Sequence, residues 1–147
     1  MNQSISRPID ILMVEDNPDD VELTEESLKG TKINYRLRIV EDGEQAMDFL
    51  RKQGKYVQAP RPDLILLDLK LPKKDGHEVL CEIKSDPGLK RIPVVVLTTS
   101  QDEKDIVKSY EEYASCYVTK PLDLNQLLGV AKWLENWLTV VKLPKGE

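Results

Sequence analysis

Glu15 and Asp16 are adjacent carboxylates, Asp68 is a third, Thr98 is a hydroxyl and Lys120 is a cation. Each ends a short apolar run or follows one within two residues. Brought together, three carboxylates within a few ångströms would repel one another. A hard divalent cation with oxygen ligands relieves that repulsion, and Mg²⁺ typically takes one or two carboxylates, waters and a phosphate oxygen. Lys120 can contact a phosphoryl oxygen and Thr98 can donate a hydrogen bond to another. The set therefore suits a phosphoryl group passing in line to a carboxylate. The expected acceptor is Asp68, the best-placed carboxylate, at the end of what reads as the central strand.

Such convergence needs elements that end at one edge. Ile9–Val14 reads as a buried strand, followed by Asn17 as a helix cap, Pro18 at the first helical position, and Asp19 and Asp20 in the first turn. Leu23, Ser27 and Leu28 continue a helical face until Gly30 ends it. Tyr35–Val40 alternates Tyr, Leu and Ile with Arg, as a strand with one more exposed face would. Asp42 and Gly43 open a helix whose apolar stripe is Ala46, Met47, Phe49 and Leu50. Residues 54–62 carry a glycine and two prolines and read as a loop. Residues 64–67 are wholly apolar, as in a central parallel strand. Residues 72–76 form another loop, and the helix after it ends near Asp86, Pro87 and Gly88. Residues 94–97 and 116–118 are further strands; Ser100 and Glu103 have capping-box spacing, and Asp123 with Gln126 caps a long final helix.

Five strands thus alternate with five helices, the pattern of a doubly wound α/β domain around a parallel sheet. All five chemical side chains then fall at carboxyl ends of strands, the edge where open α/β sheets bind ligands. The 147 residues suit one domain, with a core over about 9–141 and short tails. A composition of 40% hydrophobic and 32% charged residues is that of a soluble globular chain. The net charge of −5 argues against general nucleic-acid binding, without excluding a local basic patch. No apolar run reaches membrane-span length and no signal peptide opens the chain, so the expected compartment is the cytoplasm. Cys81 and Cys116 lie far apart in no metal-ligand spacing and read as buried, reduced thiols.

The segment PDLILLDLKLPKKDG (residues 62–76) closely resembles the phosphoacceptor segment of bacterial response-regulator receivers. So do MVEDN at 13–17, EDGEQAM at 41–47, PVVVLTTS at 93–100 and YVTKP at 117–121. The resemblance runs from about residue 9 to 138. It implies a flavodoxin-like, CheY-like fold with sheet order 2-1-3-4-5. It implies phosphorylation of Asp68, Mg²⁺ bound by Glu15, Asp16 and Asp68 with the backbone carbonyl of Lys70, and phosphoryl contacts from Thr98 and Lys120. Thr98 and Tyr117 match the switch hydroxyl and switch aromatic. Lys70 and the bulky Thr99 stand where family members vary, and imply slow autodephosphorylation. The insert at 51–62 and the ending WLENWLTVVKLP are similar to phytochrome-associated regulators, which implies a phytochrome-type sensor histidine kinase as phosphodonor.

On the final helix, Leu124, Leu127, Leu128, Ala131, Leu134 and Leu138 form one stripe and Val130, Trp133, Trp137 and Val140 a second. Together they span roughly two-thirds of the circumference, more than the ~100° a surface helix needs. The surplus face is covered either by the tail after Lys142 folding back or, the favoured expectation, by a protein partner or self-association. In receivers the fourth helix, fifth strand and fifth helix respond to the phosphoryl group, so a homodimer through that face is expected, with Asp102, Lys104, Asp105, Lys108, Tyr110 and Tyr113 on it. No direct nucleic-acid or membrane partner is expected.

His77 reads as a solvated surface residue, and Lys70, Lys73 and Lys74 as either an anion-attracting rim or a charged loop. One rival is an aspartyl-phosphate phosphatase, but such enzymes usually carry a second aspartate two residues after the nucleophile, where this chain has Lys70. The other is a receiver-shaped scaffold working without phosphorylation; the complete acidic set argues against it. The expectation is therefore a protein that catalyses only its own phosphorylation and dephosphorylation.

Overall fold

The structure, a computed structural model, describes residues 8–31, 33–98 and 116–119 together with 125 and 129. Its strands are β1 (Ile9–Val14), β2 (Tyr35–Val40), β3 (Leu64–Asp68), β4 (Val94–Thr98) and β5 (Cys116–Thr119). They pair in the order β2-β1-β3-β4-β5, and every pairing is parallel. The described helices are α1 (Pro18–Lys29), α2 (Gly43–Leu50) and α3 (Gly76–Ser85). The helices expected after β4 and β5 fall largely on residues outside those described; within the last, Asn125 and Gly129 are helical and exposed.

Side-chain alternation divides the core into two layers. Leu12, Val14, Ile65, Leu67, Val94 and Val96 face α2 and α3, where they meet Ala46, Met47, Phe49, Leu50, Val79, Leu80 and Ile83. Ile11, Met13, Leu64, Leu66, Val95 and Leu97 face the other way, packing with Leu28 of α1. Helices therefore cover both faces, which is why β3 and β4 read as continuous apolar runs rather than alternating ones.

Several sequence expectations are corrected. The buried positions of α1 are Thr24 and Leu28, while Leu23 is 46% exposed. Thr24 can face the sheet because its hydroxyl donates to the Asp20 carbonyl at 2.9 Å, so no polar atom is stranded. Cys81 is half-buried rather than buried, since the α3 stripe that meets the sheet is Val79, Leu80 and Ile83. The segment read as a plain loop at 54–62 opens with a short 3₁₀ turn, Gly54–Tyr56, in which Tyr56 packs on Phe49 with ring centroids 5.3 Å apart. The β3 and β4 strands end on Asp68 and Thr98, as their expected places at strand carboxyl ends require.

One polar cluster escaped the sequence reading. Asp10, in the second position of β1, is buried, and its register partner Arg36 on β2 reaches its carboxylate at 3.2 Å, with Arg38 at 3.4 Å. The backbone amide of Asp10 donates to Asp63 at 2.9 Å, fixing the entry to β3. These pairs lie at the amino ends of the strands, away from the carboxylates of the opposite edge.

Candidate functional site

Register places the acidic residues at one level. Val14 pairs with Leu67, so Glu15 and Asp68 are the next residues along neighbouring strands, and Asp68 in turn pairs with Leu97 on β4. Glu15, Asp16 and Asp68 each offer a carboxylate oxygen, and these oxygens lie within 4.8 Å of one another. Glu15 and Asp68 are buried and Asp16 is exposed, which gives the cluster an enclosed floor and an open side.

The turn after β1 holds Glu15 in place. Its amide donates to Val40 at 3.0 Å, and its carboxylate accepts from the Asn17 amide at 3.3 Å. Asn17 caps α1 by accepting from the Asp19 amide at 2.9 Å, with Pro18 following as the cap requires.

The loop after β3 is fixed by close backbone packing. Leu69 is buried and donates from its amide to Leu97 at 3.3 Å, while its carbonyl accepts from the Gly76 amide at 3.1 Å. A Cβ on Gly76 would stand 2.5 Å from the Asp68 carbonyl oxygen, and one on Gly43 would stand 2.2 Å from the Lys74 carbonyl oxygen. Only glycine lets the amino ends of α3 and α2 come so near. Lys73 adopts a φ of 66°, and its ammonium lies 3.8 Å from Asp42, the buried residue that caps α2 through the Gln45 amide at 2.8 Å. Lys74 pairs with Glu82 on α3. Of the three lysines read as a rim or a charged loop, two are thus tied to neighbouring carboxylates, while Lys70 is exposed and its amide lies 3.4 Å from the Asp68 carboxylate.

This donor set is all oxygen, compact and anionic, which fits a hard divalent cation such as Mg²⁺ or Mn²⁺ and not a metal that prefers sulfur or nitrogen. The profile of the response regulator receiver domain matches residues 11–132. The chain belongs to the response regulator receiver family. Response regulator Rcp1 of Synechocystis is 52% identical over 98% of this chain and 99% of its own length. A crystal structure of the Mn(2+)-bound form of Rcp1 superposes with a TM-score of 0.75, covering 93% of this chain and 99% of that one at 54% identity. The phosphorylated cyanobacterial phytochrome response regulator RcpA superposes with a TM-score of 0.77 at 52% identity, covering 94% and 99%. The bacteriophytochrome response regulator RtBRR does so with a TM-score of 0.81 at 43% identity, covering 87% and 78%.

For this receiver, the structure brings together Glu15, Asp16 and Asp68 and sets the Lys70 backbone beside them. Thr98 ends β4 one residue beyond the partner of Asp68, and Tyr117 on β5 pairs with Val96 on β4; their positions are given by the backbone alone. Lys120, Thr99 and the proposed interface residues Val130, Trp133, Trp137 and Val140 lie outside the described residues, as do residues 102–113. His77 is half-buried rather than solvated, with Nδ1 3.3 Å from the Asp75 carboxylate. Asp42 starts α2 as the sequence reading placed it, but the close backbone approaches at Gly43 and Gly76 were missed, the only signal being a glycine directly after an aspartate at two helix starts, Asp42-Gly43 and Asp75-Gly76.

Proposed function

We propose that this receiver accepts a phosphoryl group on Asp68 from the phosphohistidine of a sensor kinase. The observation that carries the reading is the trio of carboxylates closing β1 and β3, two of them buried, in a chain of this family. A carboxylate oxygen of Asp68 attacks phosphorus, the P–O bond forms as the P–N bond to the kinase imidazole breaks, and that imidazole leaves neutral when its other ring nitrogen already carries a proton and otherwise takes one from water. Glu15, Asp16, Asp68 and the Lys70 carbonyl are the groups to hold Mg²⁺, which supplies positive charge against the anionic phosphoryl oxygens. Thr98 and Lys120 contact those oxygens, and Tyr117 moves with Thr98 as the switch.

The donor is a phytochrome-type histidine kinase in the cytoplasm, a reading supported by the names of the relatives RcpA and RtBRR. The chain acts as one receiver domain and signals through a homodimer built on the region after β4, where Val130, Trp133, Trp137 and Val140 supply an apolar stripe. Among the described residues, no helix is long and apolar enough to cross a membrane. Radiolabelled transfer from an autophosphorylated phytochrome kinase core tests the partner. Faster transfer to this chain than from an unrelated histidine kinase supports it, and equal or slower transfer removes it.

A further inference from the structure

The sheet has a second edge, at the amino ends of its strands, where the α2–β3 and α3–β4 connections enter. Residues 51–61 carry Arg51, Lys52, Lys55 and Arg61 and no carboxylate. The neighbouring connection presents Lys90 and Arg91, both exposed. The two connections are joined: the Arg61 guanidinium donates to the Gly88 carbonyl at 2.5 Å, and Lys84 donates to the carbonyls of Lys90 at 2.9 Å and Ile92 at 2.8 Å.

Arg51 is neutralised by Glu82 at 3.3 Å and Asp86 at 3.9 Å. Lys52, Lys55, Arg61, Lys90 and Arg91 form no ion pair with any described carboxylate. Lys55 sits 5.3 Å over the Tyr56 ring, itself packed on Phe49, so its stem starts from an ordered base. Beside it Val57 is 61% exposed, the most open large apolar side chain among the described residues. Five cations with no described carboxylate partner, and one open apolar residue, on connections cross-linked to each other, form a preorganised basic face in a chain whose net charge is −5.

We propose that this face docks an acidic, partly apolar segment of a partner protein. A bilayer or duplex presents negative charge over an area larger than the patch and would meet the field of the whole net-anionic chain; a discrete acidic segment meets the patch alone. The docking is separate from phosphoryl chemistry, because the face lies at the strand ends opposite Asp68.

The probe is a short fluorescent peptide alternating Glu with Leu, followed by anisotropy with the full chain. Binding should weaken with added salt, and Lys52→Glu/Lys55→Glu/Lys90→Glu should weaken it by about tenfold or more. Lys29→Glu, on the α1 side, should leave it unchanged, and so should Asp68→Asn. A milder Lys→Gln triple variant, with circular dichroism on each protein, guards against loss of fold. Absence of peptide binding, equal binding by the triple variants, an equal loss in Lys29→Glu, or tighter binding to phosphatidylserine vesicles or duplex DNA than to the peptide would each overturn the proposal.

Discussion

Gly76, the first residue of α3, lies against the backbone of Asp68 so closely that a methyl group there would stand 2.5 Å from the Asp68 carbonyl oxygen. The position of the acidic cluster is thus tied to an absent side chain on a different element. Gly76→Ala should cost about 1–3 kcal/mol, the usual range for overpacking a closed site, and should weaken divalent-cation binding by displacing Leu69 and Lys70. Gly43→Ala should act in the same direction through the Lys74 carbonyl. Gly88→Ala, whose nearest contact is the Asp86 side chain at 3.3 Å, is the control and should change little. Urea unfolding and Mn²⁺ titration on the three variants check this.

Asp42 is buried and caps α2 through the Gln45 amide, whereas its partner Lys73 has a side chain 61% exposed. Asp42→Ala should therefore lose about 1 kcal/mol or more from the cap, while Lys73→Ala should lose a few tenths of a kcal/mol. Urea midpoints of the two variants should separate in that order.

Arg36 and Arg38 approach the same oxygen of buried Asp10. Each exposed arginine can cover for the other, so the single alanine variants should be mild. The double variant should exceed the sum of the singles by about 1 kcal/mol, because it leaves the carboxylate without either cation. A double-mutant cycle in urea measures the excess.

Burial lowers the Lys84 ammonium from 10.5 to about 8, and its two carbonyl partners need only the two N–H bonds of a neutral amine. In the unfolded chain the amine keeps its ordinary value near ~10.4. Between these values the unfolded state binds more protons than the native state, so this group's contribution to stability rises with pH from about 8 to about 10 and is flat below. The stability difference between the native chain and Lys84→Gln should grow across that window in favour of the native chain. A difference independent of pH would contradict it.

The strands were legible because burial on both faces leaves an apolar run with no alternation to confuse it, as in β3 and β4. The acidic trio was legible because the Glu15-Asp16 pair follows one such run and Asp68 closes another. Thr24 was not, since its suitability for a buried position comes from a hydrogen bond to Asp20 that composition does not encode. Nor was the Asp10–Arg36–Arg38 cluster, which depends on the β1–β2 register. Gly43 and Gly76 matter through contacts with residues 74 and 68, and a sequence shows a glycine without showing what approaches it.

The account stands on Asp68 as a Mg²⁺-dependent phosphoacceptor. Intact mass spectrometry after incubation with acetyl phosphate and Mg²⁺ tests it directly. The native chain should gain the mass of one phosphoryl group, lose the gain when EDTA replaces Mg²⁺, and show none in Asp68→Asn. No added mass in the native chain, or the same gain in Asp68→Asn, would contradict it.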